Sequence, residues 1–112
     1  MYLLKLREKK KTAYVELLDA RAGNQSRYVI KEQNFRIGRS KECDVRTTGW
    51  LSFGLAAEIQ RNTEGYHLLP KRWGRVRINE EPLKRPVKLM DGDYLSVNNL
   101  SMRFFHRTLK NR

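Results

Sequence analysis

The chain has 112 residues, enough for one domain with a core of its own, and its 24 Lys and Arg against 12 Asp and Glu give a formal charge of +12. With a pI near 10.3 it favours anionic partners, whether phosphorylated protein, nucleic acid or anionic lipid, without choosing among them. No stretch approaches the roughly 18 consecutive apolar residues of a bilayer-spanning helix, and the short apolar run of "MYLLKLREKKK" precedes its charges, the reverse of a signal peptide, so a cytoplasmic protein or a cytoplasmic piece of a larger one is expected.

Short alternating segments follow one another along the chain. "YLLKLR" and "TAYVELLD" flank a charged "EKKK" turn, so residues 1–13 read as an additional N-terminal strand and turn of a single domain spanning 1–112. "RYVI" follows the turn-rich "RAGNQS", and "FRIG" follows "KEQN". Beyond Cys43 come "DV", "LAAEIQ", "YHLL", "RVRI", "YLSV" and "LSMRFF", divided by "TTGW", "RNTEG", "PKRWG", "NEEP", "MDGD" and "NN". Strands recurring every eight to twelve residues or so belong to an all-β sandwich or barrel. "LAAEIQR" holds good helix formers but is too short to be stable without packing, and is read as a strand. In Asp91-Gly92-Asp93 a tight turn is predicted, with positive φ at Gly92 and the Asp side chains accepting nearby backbone N–H groups.

Catalytic chemistry has no visible residues. Cys43 is the only cysteine, so no internal disulfide forms, and it stands where an apolar strand residue is expected. His67 and His106 both lie within strand patterns; no paired carboxylates, phosphate-cradling glycine loop or metal constellation accompanies them, so neither an enzyme nor a cofactor is expected. Basic residues crowd the stretch from Lys71 to Lys88 against only Glu80 and Glu81. The aromatics are scattered and read as mostly core positions, which argues against a stacking platform for nucleic acid.

"RIGRSKECDV" resembles the forkhead-associated (FHA) domain, whose members carry a Gly-Arg pair after a strand and a Cys-Asp-Ile-like start to the next; Gly38, Arg39, Ser40, Cys43, Asp44 and Val45 match in order and spacing. "LMDGDYLSV" is similar to the family's L-x-D-G-D-x-I segment, "LSMRFF" to its last strand, and Ile78-Asn79 to its V-N-G stretch, so the resemblance covers about Tyr14 to His106. It implies a β-sandwich of about eleven strands with ligand loops at one end. It also implies a non-catalytic module of signal transduction that reads phosphothreonine peptides. In that role Arg39 suits, since a guanidinium presents a permanent, planar fork of donors to phosphate or a peptide carbonyl.

Two segments depart from the family. Its S-R-x-H-A-x-I, counted without a gap from Gly38, falls on Phe53, Gly54, Ala56, Ala57 and Ile59 at the Ser, Arg, His, Ala and Ile positions. A register moved by one brings Ser52 to the phosphate position and requires a bulge in the strand; in either register the bracing His is missing. The family's S-x-N-G-T becomes Arg72-Trp73-Gly74-Arg75-Val76, with Gly74 at the Asn position. The candidate ligand-binding residues are therefore Arg39, Ser40, Lys41, Ser52, Arg72, Trp73 and Arg75. The reading preferred is a protein-interaction module that depends weakly or not at all on phosphate, in a signalling or cell-envelope/secretion protein. The alternative is phosphothreonine-peptide recognition through Arg39, and nonspecific binding of nucleic acid or anionic lipid ranks third.

Overall fold

The structure is a computed structural model and describes residues 11–19, 24–47 and 54–108. The strand predicted at "YLLKLR", the "EKKK" turn ahead of Lys11, and Trp50 and Ser52 lie outside these residues. Eleven strands form: β1 (Lys11–Leu17), β2 (Arg27–Val29), β3 (Asn34–Gly38), β4 (Val45–Arg46), β5 (Leu55–Asn62), β6 (Gly65–Pro70), β7 (Val76–Ile78), β8 (Glu81–Pro82), β9 (Val87–Lys88), β10 (Tyr94–Val97) and β11 (Leu100–Thr108). They build a six-stranded sheet in the order β2-β1-β11-β10-β7-β8 and a five-stranded sheet in the order β4-β3-β5-β6-β9. The all-β sandwich expected from the strand spacing is the architecture observed, and "LAAEIQ" is a strand in it.

Alternation at a period of two decides what each strand contributes to the space between the sheets. Ala13, Val15 and Leu17 of β1 face their partners His106, Phe104 and Met102 of β11 on the inner side. Ile37, Val45, Ile59 and Leu68 close the layer from the other sheet, and with Val15, Leu95, Val97, Met102 and Phe104 they are almost completely removed from solvent. Side chains buried to this degree stabilise by about 1.5–3 kcal/mol each relative to exposure, so this layer holds the two sheets together.

Two expectations need correction. β8 falls inside "NEEP" and β9 at "VK", where no strand was expected; a strand of two residues has no period to reveal it. Cys43 is buried, but in the turn before β4 and not in a strand, and burial pushes its thiol pKa up. Of the aromatics, Tyr14, Phe35, Tyr66 and Phe104 are buried and Tyr28 packs against the core, as expected of most of them. Tyr14, Tyr94 and Phe105 lie on the outer side of the six-stranded sheet, where Arg27, Arg103 and Arg107 cover their rings at 4.7, 5.9 and 4.4 Å from the centroids. Rings already covered by the chain's own guanidinium groups are not open for base stacking.

The two family-like segments outside the loop end prove to be scaffold. Asn79 and Glu80 join β7 to β8 as a two-residue hairpin in which both have positive φ, 48° and 71°, as a type I′ turn requires. The Asn79 amide donates to Asp93 Oδ1 at 3.1 Å and its carbonyl oxygen accepts the Tyr94 N–H at 3.1 Å, so the hairpin is tied to the start of β10. The Asp91-Gly92-Asp93 turn is as predicted: Gly92 has φ 92°, Asp93 accepts the Met90 N–H at 2.8 Å and Asp91 the His106 N–H at 2.9 Å.

Candidate functional site

The connections after β3, β6 and β10 meet at one end of the sandwich. Gly38 closes β3 and pairs with Leu55 of β5, while Ile37 pairs with Ala57, which leaves Ala56 as the extra residue of a β-bulge. A Cβ on Gly38 would lie 2.2 Å from the Gly54 carbonyl oxygen, so only glycine permits this approach. That same oxygen accepts the N–H groups of Arg39 at 2.7 Å and Ser40 at 3.2 Å, fixing the turn that carries Arg39. Asp44 completes it: its backbone N–H bonds to the Arg36 carbonyl at 2.9 Å and its Oδ2 accepts the Arg36 N–H at 2.8 Å. The Gly-Arg pair and the Asp five residues on are thus two ends of one braced turn, with Arg39 and Lys41 exposed on it.

The Ser40 hydroxyl is engaged inside the turn, donating to Glu42 Oε1 and accepting the Glu42 N–H, each at 3.3 Å. Across the end, the β6–β7 turn packs onto the bulge. Lys71 donates its N–H to the Ala56 carbonyl at 3.0 Å and its ammonium lies 3.2 Å from the buried Glu58 carboxylate. Gly74 presses on the same residue, for a Cβ there would stand 2.1 Å from the Ala56 oxygen. Between them Trp73 projects with 65% of its surface exposed, and the Arg72 guanidinium lies over its ring at 5.1 Å. Trp73 therefore does not fold over the sandwich edge as a lid.

Asn98, at the β10–β11 turn, stitches the two loops together. Its Oδ1 accepts the Arg75 N–H at 3.0 Å, its own N–H bonds to the Arg75 carbonyl at 2.8 Å, and its amide reaches Thr47 Oγ1 at 3.4 Å. Thr47 is buried and donates its N–H to the Gly38 carbonyl at 2.9 Å, so Arg75 and the Arg39 turn share one hydrogen-bonded frame. In the sequence Asn98 shows only as half of an "NN" turn. Arg39, Ser40, Lys41, Arg72, Trp73 and Arg75 belong to the loops of this end, whereas Ser52 lies outside the described residues. The β5 bulge is the feature that the Ser52 register calls for.

No protein-family model and no curated protein sequence matches the chain. Solved structures do. An FHA domain from a structural and functional analysis of phosphothreonine-dependent interactions superposes with a TM-score of 0.73 at 19% identity, over 88% of this chain and 99% of that one. EmbR of Mycobacterium tuberculosis, solved with a low-affinity phosphopeptide, gives 0.76 at 19% identity over 98% of this chain, which spans 30% of that larger protein. The yeast Dun1 FHA domain, bound to a doubly phosphorylated peptide, gives 0.70 at 20% identity over 94% of this chain and 81% of its own. The chain has the forkhead-associated fold.

Proposed function

We propose that the chain is a non-catalytic protein-interaction module that holds a peptide segment of a partner at this loop end with little dependence on phosphothreonine, in a cytoplasmic signalling or cell-envelope/secretion protein. The observation that carries this reading is the contact of Gly74 with Ala56. It leaves no space for a side chain where FHA domains carry the Asn that fixes peptide backbone, and neither Leu55 nor Ala56, the residues that the two registers put at the position of their bracing His, is a histidine. Charge-assisted hydrogen bonds contribute about 1.5–3 kcal/mol each, so a site without two of its polar groups gains correspondingly less from a phosphate. What remains is suited to ordinary peptide: the Arg39 fork, the Arg72 and Arg75 cations, and an exposed Trp73 of the kind that anchors interfaces.

Matched libraries of threonine peptides, phosphorylated and not, test the reading by fluorescence anisotropy. Selected sequences are expected to bind in both forms with Kd values within about threefold, and Trp73→Ala to weaken both by about tenfold, or about 1.4 kcal/mol. Binding that requires the phosphate and disappears with Arg39→Ala would instead establish the phosphothreonine reader.

A further inference from the structure

We infer that a recess beside the β6–β7 turn is a pocket for an acidic side chain, Asp or Glu, of the bound peptide; this rests on the reading that the loop end holds a peptide at all. Pro70, Lys71, Arg72 and Gly74 form one wall and Leu83 and Lys84 the other. Three cationic residues thus line a hollow with no carboxylate in its lining among the described residues. The basic run from Lys71 to Lys88, of which the interaction reading uses only Arg72 and Arg75, is what supplies them.

The walls are fixed before any ligand arrives. Gly74 is held against Ala56, and Leu83 donates its N–H to the Val76 carbonyl at 2.8 Å while its side chain packs against the core, which sets the position of Lys84 beside it. Glu58 holds Lys71, and the Trp73 ring holds Arg72. Cations placed in advance lose little side-chain freedom on binding, and donors in a half-enclosed hollow are screened less than on open surface. Because Glu58 already offsets part of the Lys71 charge, the recess matches a singly charged carboxylate better than a phosphate. A nucleic-acid strand fits poorly, since it needs a succession of open ring faces and this surface offers Trp73 with one face covered by Arg72.

The test takes an unphosphorylated peptide selected by display on the wild-type chain and replaces each of its acids with the matching amide. One such change is expected to weaken binding to the wild type by about tenfold and to Lys84→Ala by less than about twofold. Arg39→Ala should lower the affinity of acid and amide peptides alike and keep their ratio. Lys84 is exposed, so unchanged thermal unfolding of Lys84→Ala excludes a folding artefact. The pocket is overturned if no acid matters to the wild type, or if the acid-to-amide ratio survives both Lys84→Ala and Lys84→Glu. It is equally overturned if a DNA oligonucleotide binds more tightly than any selected peptide and loses affinity with Lys84→Glu. Acid indifference in a chain still sensitive to Arg39→Ala and Trp73→Ala removes the pocket alone, whereas insensitivity to those two variants removes the loop-end reading itself.

Discussion

Gly74 rests on the backbone of Ala56 so closely that a Cβ would come within 2.1 Å of a carbonyl oxygen that already accepts the Lys71 N–H. The obstacle is backbone, which cannot swing aside as a side-chain tip does. Gly74→Ala is expected to lower the free energy of unfolding by about 1–3 kcal/mol, the usual penalty of overpacking, measured by urea denaturation. Gly74→Asn, which places there the Asn of the FHA pattern that this segment resembles, should destabilise at least as much and gain no phosphothreonine affinity.

Asn98 bears on the other side of the same loop. With φ at 54° it occupies a conformation that Asn tolerates and Ala does not, and its side chain holds the Arg75 N–H. Asn98→Ala should cost about 1–2 kcal/mol and Asn98→Gly less, because glycine keeps the backbone and loses only the side-chain bonds. Amide hydrogen exchange at Arg75 should rise in both variants. Unchanged protection there would refute the stitching role.

Glu80 sits at φ 71° in the second position of the β7–β8 hairpin, where the V-N-G stretch that this segment resembles has glycine. A non-glycine residue in the left-handed region is disfavoured by roughly 1–2 kcal/mol, part of which the greater unfolded-state freedom of glycine takes back. Glu80→Gly is expected to stabilise by about 1 kcal/mol, raising the urea midpoint without altering the slope.

His106 lies edge-on to Tyr66 with ring centroids 5.1 Å apart, and burial, with a smaller contribution from Lys11, lowers its pKa. The unfolded chain, with an ordinary imidazole pKa of about 6.5, then binds more protons than the folded one between the two pKa values. Stability should fall as pH drops through about 6.5 and level off below the folded pKa, and His106→Gln should flatten that step. Asp91 acts in a lower window. The His106 backbone N–H and Arg107 hold its pKa down, so its contribution is complete above the ordinary carboxylate range and is lost in acid, as the folded pKa is passed. Denaturation curves at a series of pH values separate the two.

Strands long enough to show alternation, such as β1, β5 and β11, were legible from their residues, and the family-like motifs located the turn that carries Arg39. What alternation conveys is the side of a strand, not what covers it. Tyr14 is buried on the outer side of its sheet, where Arg27 and Phe105 cover it, and alternation alone does not announce that cover. Gly74 looked like any glycine in a turn, since its contact is with Ala56, a residue distant in sequence, and nothing local records that. Asn98 was missed for the same reason: its partner Arg75 is brought to it by the pairing of β10 with β7, and Thr47 comes from just past the end of β4 in the other sheet. The basic run was visible, but not that Leu83 would bring Lys84 opposite Lys71 and Arg72.

The pairing of β1 with β11, from Lys11 opposite Thr108 to Leu17 opposite Met102, also governs when the domain forms. The six-stranded sheet has β1 and β11 as neighbouring interior strands, so an early segment of the domain waits for its last strand before its apolar side is covered. Closing so long a loop is slow compared with helix or hairpin formation, and chains dominated by such pairings fold in milliseconds to seconds. On a ribosome β1 emerges with Val15 uncovered and stays so until β11 has left the exit tunnel, so the sandwich closes only when its last strand arrives and the nascent chain is exposed to aggregation until then.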